Sequence, residues 1–183
     1  MNWLHNLEEA RTEAEASRKP ILLQFEMEGC GGCKKLYEET YSDHILQKEM
    51  TDNFVLLKLD LIKERELRKS LGAYWTPSFY FLTEDLKSRF NFNGFVPPLE
   101  ARAILRLGMA EFLVPKGKYS EAAEFLKSDL KSFERSSLYS KMLYQIALME
   151  YIKTKDKNDF KSKLKFIVEK YPDTIEAKTY FFD

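Results

Sequence analysis

The sequence has few cysteines, no excess of one charge and no long apolar run, so its composition alone does not assign it to a class of protein. Only 2 cysteines occur among 183 residues, which excludes a scaffold held together by several disulfides. Lysine plus arginine and aspartate plus glutamate both number 29, so the net charge gives no electrostatic case for binding nucleic acid or an anionic membrane. No apolar run approaches the roughly 20 residues of a membrane helix. We therefore predict no nucleic-acid partner and no membrane insertion.

The N-terminus also lacks a recognisable targeting segment. Residues 1–10 show no basic stretch followed by an apolar stretch, which is the pattern of a secretory leader. We therefore predict a soluble, cytoplasmic protein as the sequence stands, and a periplasmic or otherwise extracytoplasmic one if a leader was removed. At 183 residues the chain allows one generous domain or two small ones, and its 44% of hydrophobic residues can build at least one core.

The two cysteines that are present lie in one tetrapeptide, Cys30-Gly31-Gly32-Cys33. The apolar run before them predicts a buried strand over residues 21–27, and the run after them predicts the start of a helix. A helix N-terminus favours a thiolate over a thiol, because unpaired backbone N–H groups and the helix dipole stabilise negative charge there. A second sulfur one helical turn away can resolve a mixed disulfide. The pair is therefore predicted to carry reversible disulfide chemistry.

Other interpretations of the cysteine pair remain open. The pair could be buried and inert, or it could be half of a zinc site, which needs two further ligands. His5 and His44 are the only histidines, and neither is placed for coordination. An iron–sulfur cluster shared between two chains is a third interpretation. We predict no metal site and no cofactor other than the redox-active disulfide itself.

Periodicity predicts alternating helices and strands in the first part of the chain. Helices are expected from Trp3 to the residue ahead of Lys19, from the cysteines to about Met50, over 63–71 and over 99–114. In the cysteine helix, the predicted inward-facing residues are Leu36, Ile45 and Leu46. Strands are expected over 21–27, 53–60, 78–83 and 88–95, the first two parallel and the last two a hairpin.

No strand pattern follows residue 114, so a second domain is predicted over 115–183 after a first domain over 1–114. Its candidate helices cover Tyr119 to Phe133, Ser136 to Thr154, Asn158 to Tyr171 and Thr174 to Phe182. The first and third of these superpose at a period of 41 residues, which is typical of stacked helix pairs. Their aromatic residues are interpreted as packing or, alternatively, as a peptide groove.

Three signals in order across residues 1–113 resemble the thioredoxin fold. They are the strand and helix around the cysteines, the segment Tyr74 to Ser78 with Pro77 ahead of the third strand, and Asn93-Gly94-Phe95 after the fourth. The segment from Trp3 to Leu23 is similar to the thiol-disulfide interchange branch of that superfamily. Residues 115–183 more loosely resemble tetratricopeptide helix pairs. The implied architecture is an α/β thioredoxin fold, with a mixed sheet built from βαβ and ββα units and helices on both faces, followed by an all-α helical-hairpin region.

The resemblance implies roles for individual residues. Cys30 would attack the substrate disulfide and Cys33 would resolve the intermediate. Pro77, expected as a cis-proline facing the dithiol, would leave Thr76 open to pair with an extended substrate. Trp75 either forms a platform for substrate or fills the edge of the sheet.

The chain departs from the family where a buried aspartate is usual. Gln24 replaces it and cannot titrate. Any base for Cys33 must therefore be another group, and Glu26 and Lys58 are the candidates for proton transfer.

The predicted function is a thiol-disulfide oxidoreductase that acts on protein disulfides, with the helical extension engaging a partner or substrate. The alternative is a non-catalytic thioredoxin-fold adaptor whose helical repeats recruit a protein partner. A reactive Cys30 distinguishes the two, since an adaptor needs no thiolate.

Overall fold

A computed structural model describes residues 1–179 of the chain. A four-stranded mixed sheet has the order β2-β1-β3-β4. Strands β1 and β2 are parallel, whereas β3 is antiparallel to both β1 and β4. The predicted mixed sheet, with a parallel pair and a hairpin, is therefore confirmed. The strands are β1 Ile21–Glu26, β2 Val55–Asp60, β3 Ser78–Leu82 and β4 Ser88–Asn93.

Nine α-helices occur within residues 1–179. They are α1 Leu7–Ser17, α2 Gly31–Lys35, α3 His44–Asn53, α4 Arg65–Leu71, α5 Pro98–Leu113, α6 Tyr119–Lys127, α7 Tyr139–Thr154, α8 Lys157–Lys170 and α9 Ile175–Lys178. Short 3-10 helices cover Val114–Lys116 and Leu130–Phe133. No described helix has the length and apolar character needed to cross a membrane.

Helices cover both faces of the central strand β1, which explains its nearly continuous apolar sequence. On one face, Leu23 and Phe25 pack with Ala10 of α1 and Leu67 of α4. On the other face, Leu22 lines a small interior cavity together with residues of the cysteine helix, α3 and α5. Strands buried on both faces lose the alternation of polar and apolar residues. The edge strand β4 keeps that alternation, with Phe90 and Phe92 half-buried between exposed neighbours.

Two helices begin or end differently from the sequence prediction. The N-terminal helix begins at Leu7 rather than Trp3, because Leu4 instead forms a parallel bridge with Leu57 of β2. The cysteine helix does not run unbroken to Met50. After α2 it forms a π turn over Leu36–Thr40, and α3 then starts where the side chain of Asp43 accepts the Leu46 N–H at 2.7 Å.

The break changes which side chains face the core. Leu36 and Leu46 are buried as predicted, but Ile45 is 57% exposed, so its inward placement was wrong. The π turn and the new N-cap rotate α3 relative to a continuous helix. A helical periodicity counted from the cysteines therefore gives the wrong face for residue 45.

The chain divides into two compact units, Met1–Gly108 and Met109–Asp183. This division falls within α5, whereas the prediction placed the boundary after residue 114, and that position stays a prediction. The described part of the second unit, up to residue 179, is helical as expected. Its core includes Ala147, Phe160, Leu164, Ile167 and Ala177.

Two predicted helices of the second unit differ in detail. The helix predicted over Tyr119 to Phe133 ends at Lys127, and Asp129 takes a left-handed conformation (φ 54°) before a 3-10 turn. The last predicted helix, Thr174 to Phe182, is observed as Ile175–Lys178 with Thr174 and Thr179 as its caps, and residues 180–182 lie outside the described residues. The likeness to tetratricopeptide pairs stays a prediction.

Candidate active site

The two cysteines lie where β1 passes into α2. Gly29 makes the turn with a φ of +75°, a conformation that is inexpensive only for glycine. Cys30 caps α2, and its sulfur accepts the Cys33 N–H at 3.1 Å. Cys30 and Cys33 form a disulfide. Cys30 is half-buried and Cys33 is 4% exposed, so a large substrate can reach only the first sulfur.

The electrostatic surroundings favour an anion at the Cys30 sulfur once the disulfide is reduced. The Cys33 N–H points at that sulfur, and a hydrogen bond to the charged form stabilises it. Lys34 and Lys35 follow directly, but each lies within 4 Å of a glutamate one turn later, Glu38 and Glu39 respectively. The backbone N–H is therefore the more dependable source of stabilisation, because the exposed ion pairs are screened by solvent.

The loop before β3 lies against the dithiol loop. Its Thr76–Pro77 peptide bond is cis, and the Pro77 carbonyl accepts the N–H of Gly94 at 2.8 Å. A Cβ atom on Gly32 would lie only 2.9 Å from Pro77 Cδ, whereas one on Gly31 would meet nothing within 4 Å. Glycine at position 32 therefore permits the close approach of the two loops.

This approach creates a groove of about 350 Å³ beside Cys30. Trp75 lines it and is 58% exposed, and Thr76 lines it from the same loop. Pro77 itself is buried and does not line the groove. The structure thus brings together the predicted substrate-binding residues and Cys30, and their roles stay predictions.

A second groove, of about 520 Å³, opens on the other side of the dithiol. Glu26, Tyr37 and Asp60 line it together with both cysteines. Glu26, one of the two predicted proton-transfer groups, therefore shares a groove with the sulfurs.

Lys58, the other predicted proton-transfer group, is not among the residues that line this groove. Its ammonium lies 4.5 Å from the ring centre of Tyr37 and 4.8 Å from that of Trp3. Burial lowers the pKa of Lys58, and the nearby Glu26 carboxylate acts in the opposite direction. Lys58 is thus an electrostatic neighbour of Glu26 and not a group that lines the groove with the sulfurs.

Gln24 of β1 is fully buried and is hydrogen-bonded to two tyrosines. The Tyr41 hydroxyl donates to Gln24 Oε1, and Gln24 Nε2 donates to the Tyr37 hydroxyl oxygen at 3.2 Å. The Tyr37 hydroxyl in turn donates to Glu26 Oε2. Both polar ends of the buried amide are therefore satisfied, which a buried amide requires.

Tyr37 and Tyr41 were missed by sequence reasoning. Burial raises the pKa of Tyr37, and its hydrogen bond to Glu26 acts in the same direction. Burial likewise raises the pKa of Tyr41. Tyr37 follows Cys33 by four residues, and Tyr41 follows Tyr37 by four. This spacing was the available signal, since side chains four apart lie on one helix face.

Within residues 1–179, no group of three or more histidine, cysteine, aspartate or glutamate side chains is arranged to hold a metal ion. The zinc and iron–sulfur interpretations, like the expectation of no metal site, stay predictions.

Comparison with known proteins covers the first unit. The family profile described as a thioredoxin-like domain matches residues 7–108. The chain is 28% identical over 99 residues to the thiol:disulfide interchange protein DsbD of Campylobacter jejuni strain RM1221 and equally to that of strain NCTC 11168. These matches cover 52% of this chain but 17% of the relatives, so the chain corresponds to about a sixth of their length.

A solved structure shares the fold of the first unit. The solution structure of a thioredoxin from Thermus thermophilus superposes with a TM-score of 0.53 at 22% identity. It covers 58% of this chain and 85% of the thioredoxin chain. This likeness, together with the family match, confirms the fold predicted from the three sequence signals.

Proposed function

Because this chain belongs to the family of thioredoxin-like domains, we propose that it is an oxidoreductase that exchanges disulfides in protein substrates through Cys30 and Cys33. One observation carries the proposal: the two sulfurs form a disulfide at the N-terminus of α2, with the accessible sulfur facing a groove. Thiolate attack on a disulfide requires access and thiolate character, and this site offers both.

The proposed reaction begins with the reduced dithiol. The Cys30 thiolate attacks one sulfur of the substrate disulfide, forming a mixed disulfide and releasing one substrate thiolate. Cys33 then attacks Cys30, which re-forms the protein disulfide and releases the second substrate thiolate. Two electrons pass from the dithiol to the substrate, and an external dithiol such as dithiothreitol restores the reduced protein.

Thr76, Pro77 and Trp75 form the proposed substrate-binding loop. The exposed ring of Trp75 offers apolar surface beside Cys30, and Thr76 lies where an extended peptide could pair with the backbone. Proton transfer at Cys33 is assigned to Glu26, which shares a groove with both sulfurs, and Lys58 is its electrostatic neighbour.

Reduction of insulin disulfides by dithiothreitol tests the proposal. We expect the wild-type protein at micromolar concentration to shorten the lag before the insulin B chain precipitates, relative to dithiothreitol alone. If the lag does not change and the reduced protein reacts with iodoacetamide as slowly as an ordinary thiol with a pKa of about 8.5, the non-catalytic adaptor is favoured instead.

The second unit contributes to the proposal through a groove between its helices. The groove has a volume of about 310 Å³, and Phe166 of α8 is 47% exposed within it. Lys127 and Lys163 both pair with Glu150 at its edge. An exposed aromatic residue with a polar rim suits binding of a protein partner, so we assign partner engagement to this groove.

Phe166→Ser should weaken that engagement. In a Cys33→Ser background, which leaves mixed disulfides unresolved, we expect at least about fivefold less trapped partner from an extract of the native host, as an aromatic contact worth 1 kcal/mol or more predicts. Ile175→Ser is the matched control, because Ile175 is also exposed in the second unit but does not line the groove. Equal trapping by the two variants would contradict the assignment.

A further inference from the structure

The hydrogen bonds that join Tyr41, Gln24, Tyr37 and Glu26 form a chain with a direction. It runs from the Tyr41 hydroxyl through both ends of the Gln24 amide to the Tyr37 hydroxyl, and it ends on Glu26 Oε2. An ionised carboxylate only accepts hydrogen bonds, whereas the phenol and the amide can each donate and accept. Each donor therefore points toward Glu26, which is the terminal acceptor of the chain.

Tyr37 is the link that touches Glu26, and its own position is fixed from several sides. Its ring lies 5.6 Å from the ring of Tyr41 and 4.5 Å from the ammonium of Lys58, measured to ring centres. The Gln24 amide donates to its hydroxyl oxygen at 3.2 Å. These contacts restrict the rotamers of Tyr37, which is otherwise 38% exposed, and hold its hydroxyl beside Glu26.

Glu26 needs such support because it lies at the end of β1 beside an open groove. Its side chain is half-buried and lines that groove together with Cys33. A half-exposed carboxylate can rotate away from a buried sulfur, and a base is effective only within hydrogen-bond reach of the proton it removes. A fixed donor on one carboxylate oxygen limits that rotation.

We propose that Tyr37 is a positioning residue that holds the Glu26 carboxylate as proton acceptor for Cys33 while the mixed disulfide is resolved. This inference rests on the proposed oxidoreductase function. Gln24, at the position where the family resemblance implied an aspartate, then serves to orient Tyr37, and Tyr41 orients Gln24 in turn.

The resolving step exchanges one disulfide bond for another. The Cys33 thiol gives its proton to the Glu26 carboxylate, and its sulfur attacks the Cys30 sulfur of the mixed disulfide. The bond between Cys30 and the substrate sulfur breaks, and the electron pair leaves with the substrate thiolate. That thiolate takes up a proton from water, and the Glu26 carboxylate is restored by loss of its proton to water.

Charged residues from neighbouring elements surround Glu26. Lys34 of α2, Glu28 of the turn and Asp60 of β2 line the same groove, and Lys58 of β2 interacts with Glu26 electrostatically. Asp60 accepts the N–H groups of Ile62 and Lys63 through one of its carboxylate oxygens.

Tyr37→Phe tests the inference because it removes the hydroxyl and keeps the ring. We expect quenched-flow measurements with a disulfide peptide to show an unchanged rate of mixed-disulfide formation by Cys30. The rate of resolution by Cys33 should fall about tenfold, part of the factor that general base catalysis supplies. Tyr151→Phe makes the same chemical change in α7, where the ring stacks on Phe160, and should alter neither rate.

A double-mutant cycle separates positioning from a general structural effect. Glu26→Gln should slow resolution by itself, and adding Tyr37→Phe to it should produce no further slowing, because Tyr37 acts only through Glu26. Additive slowing in the double variant would overturn the inference, as would equal slowing of both steps by Tyr37→Phe.

The controls distinguish failure of this inference from failure of the proposed function. If Tyr37→Phe resolves at the wild-type rate while the wild-type protein reduces insulin, Tyr37 has no positioning role and the function stands. If the wild-type protein forms no mixed disulfide with the peptide, both the function and the inference are wrong.

Discussion

A Cys30→Ser variant is expected to reduce insulin no faster than dithiothreitol alone. Removal of a covalent nucleophile lowers turnover by several orders of magnitude, because the remaining groups cannot replace the attacking atom. Cys33 offers no substitute, since it is 4% exposed and cannot reach a protein disulfide. The measurement is the onset of insulin precipitation at a fixed dithiothreitol concentration.

The variant should remain folded, which keeps its loss of activity interpretable. Only two residues separate the cysteines, so their disulfide constrains the unfolded chain little and its loss changes stability modestly. Circular dichroism should therefore match that of the wild type. Cys33→Ser is the companion variant, and it should accumulate a mixed disulfide through Cys30. Insulin reduction by Cys30→Ser at the wild-type rate would show that the dithiol is not the reactive group.

Gly108→Ala is expected to destabilise the protein by about 2 kcal/mol, within the range for overpacking a core. A Cβ atom at this position would lie 2.3 Å from two ring carbons of Phe81, closer than real Cβ contacts. Phe81 is 1% exposed and its ring lies 5.5 Å from the rings of Phe54 and Phe90, so it has little room to move.

A competing effect acts on the same substitution. Alanine favours a helix interior over glycine by about 1 kcal/mol, and Gly108 lies within α5. The steric conflict should outweigh this gain because it involves two ring carbons of a fully packed residue. The midpoint of urea unfolding measures the net effect, with Gly31→Ala as the control, since a Cβ there meets nothing within 4 Å. A higher midpoint for Gly108→Ala would mean that helix propensity dominates.

Much of the sheet could be predicted from the sequence because its signals are local. The apolar runs of β1 and β2, the glycine and proline residues around the dithiol and the alternation in β4 all depend on neighbouring residues. The start of the first helix could not be predicted in this way. Leu4 belongs to an apolar helical pattern, but hydrogen bonds with Leu56 and Lys58 draw it to the sheet.

The cysteine helix shows the same limit within a single element. Periodicity predicted an unbroken helix through residues 36–50. In the structure, the π turn between Leu36 and Tyr41 shifts the helical register. The Thr40 hydroxyl donates to the carbonyl of Val96, 56 residues away along the chain. Such a contact does not appear in any local pattern, so the exposure of Ile45 could not be predicted.

The sequence by itself determined the chemistry that this site offers: two sulfurs one turn apart at a helix N-terminus, a proline loop ahead of a strand and an amide where a carboxylate was expected. Only the tertiary structure decided which groups surround those sulfurs. Gln24, Tyr37, Tyr41 and Glu26 come from a strand and from the helix that follows it, and their order in space depends on the π turn and the packing of that helix on the sheet. Hydrogen bonds among side chains depend on distances below about 3.5 Å, and local sequence patterns do not specify such distances between separate elements.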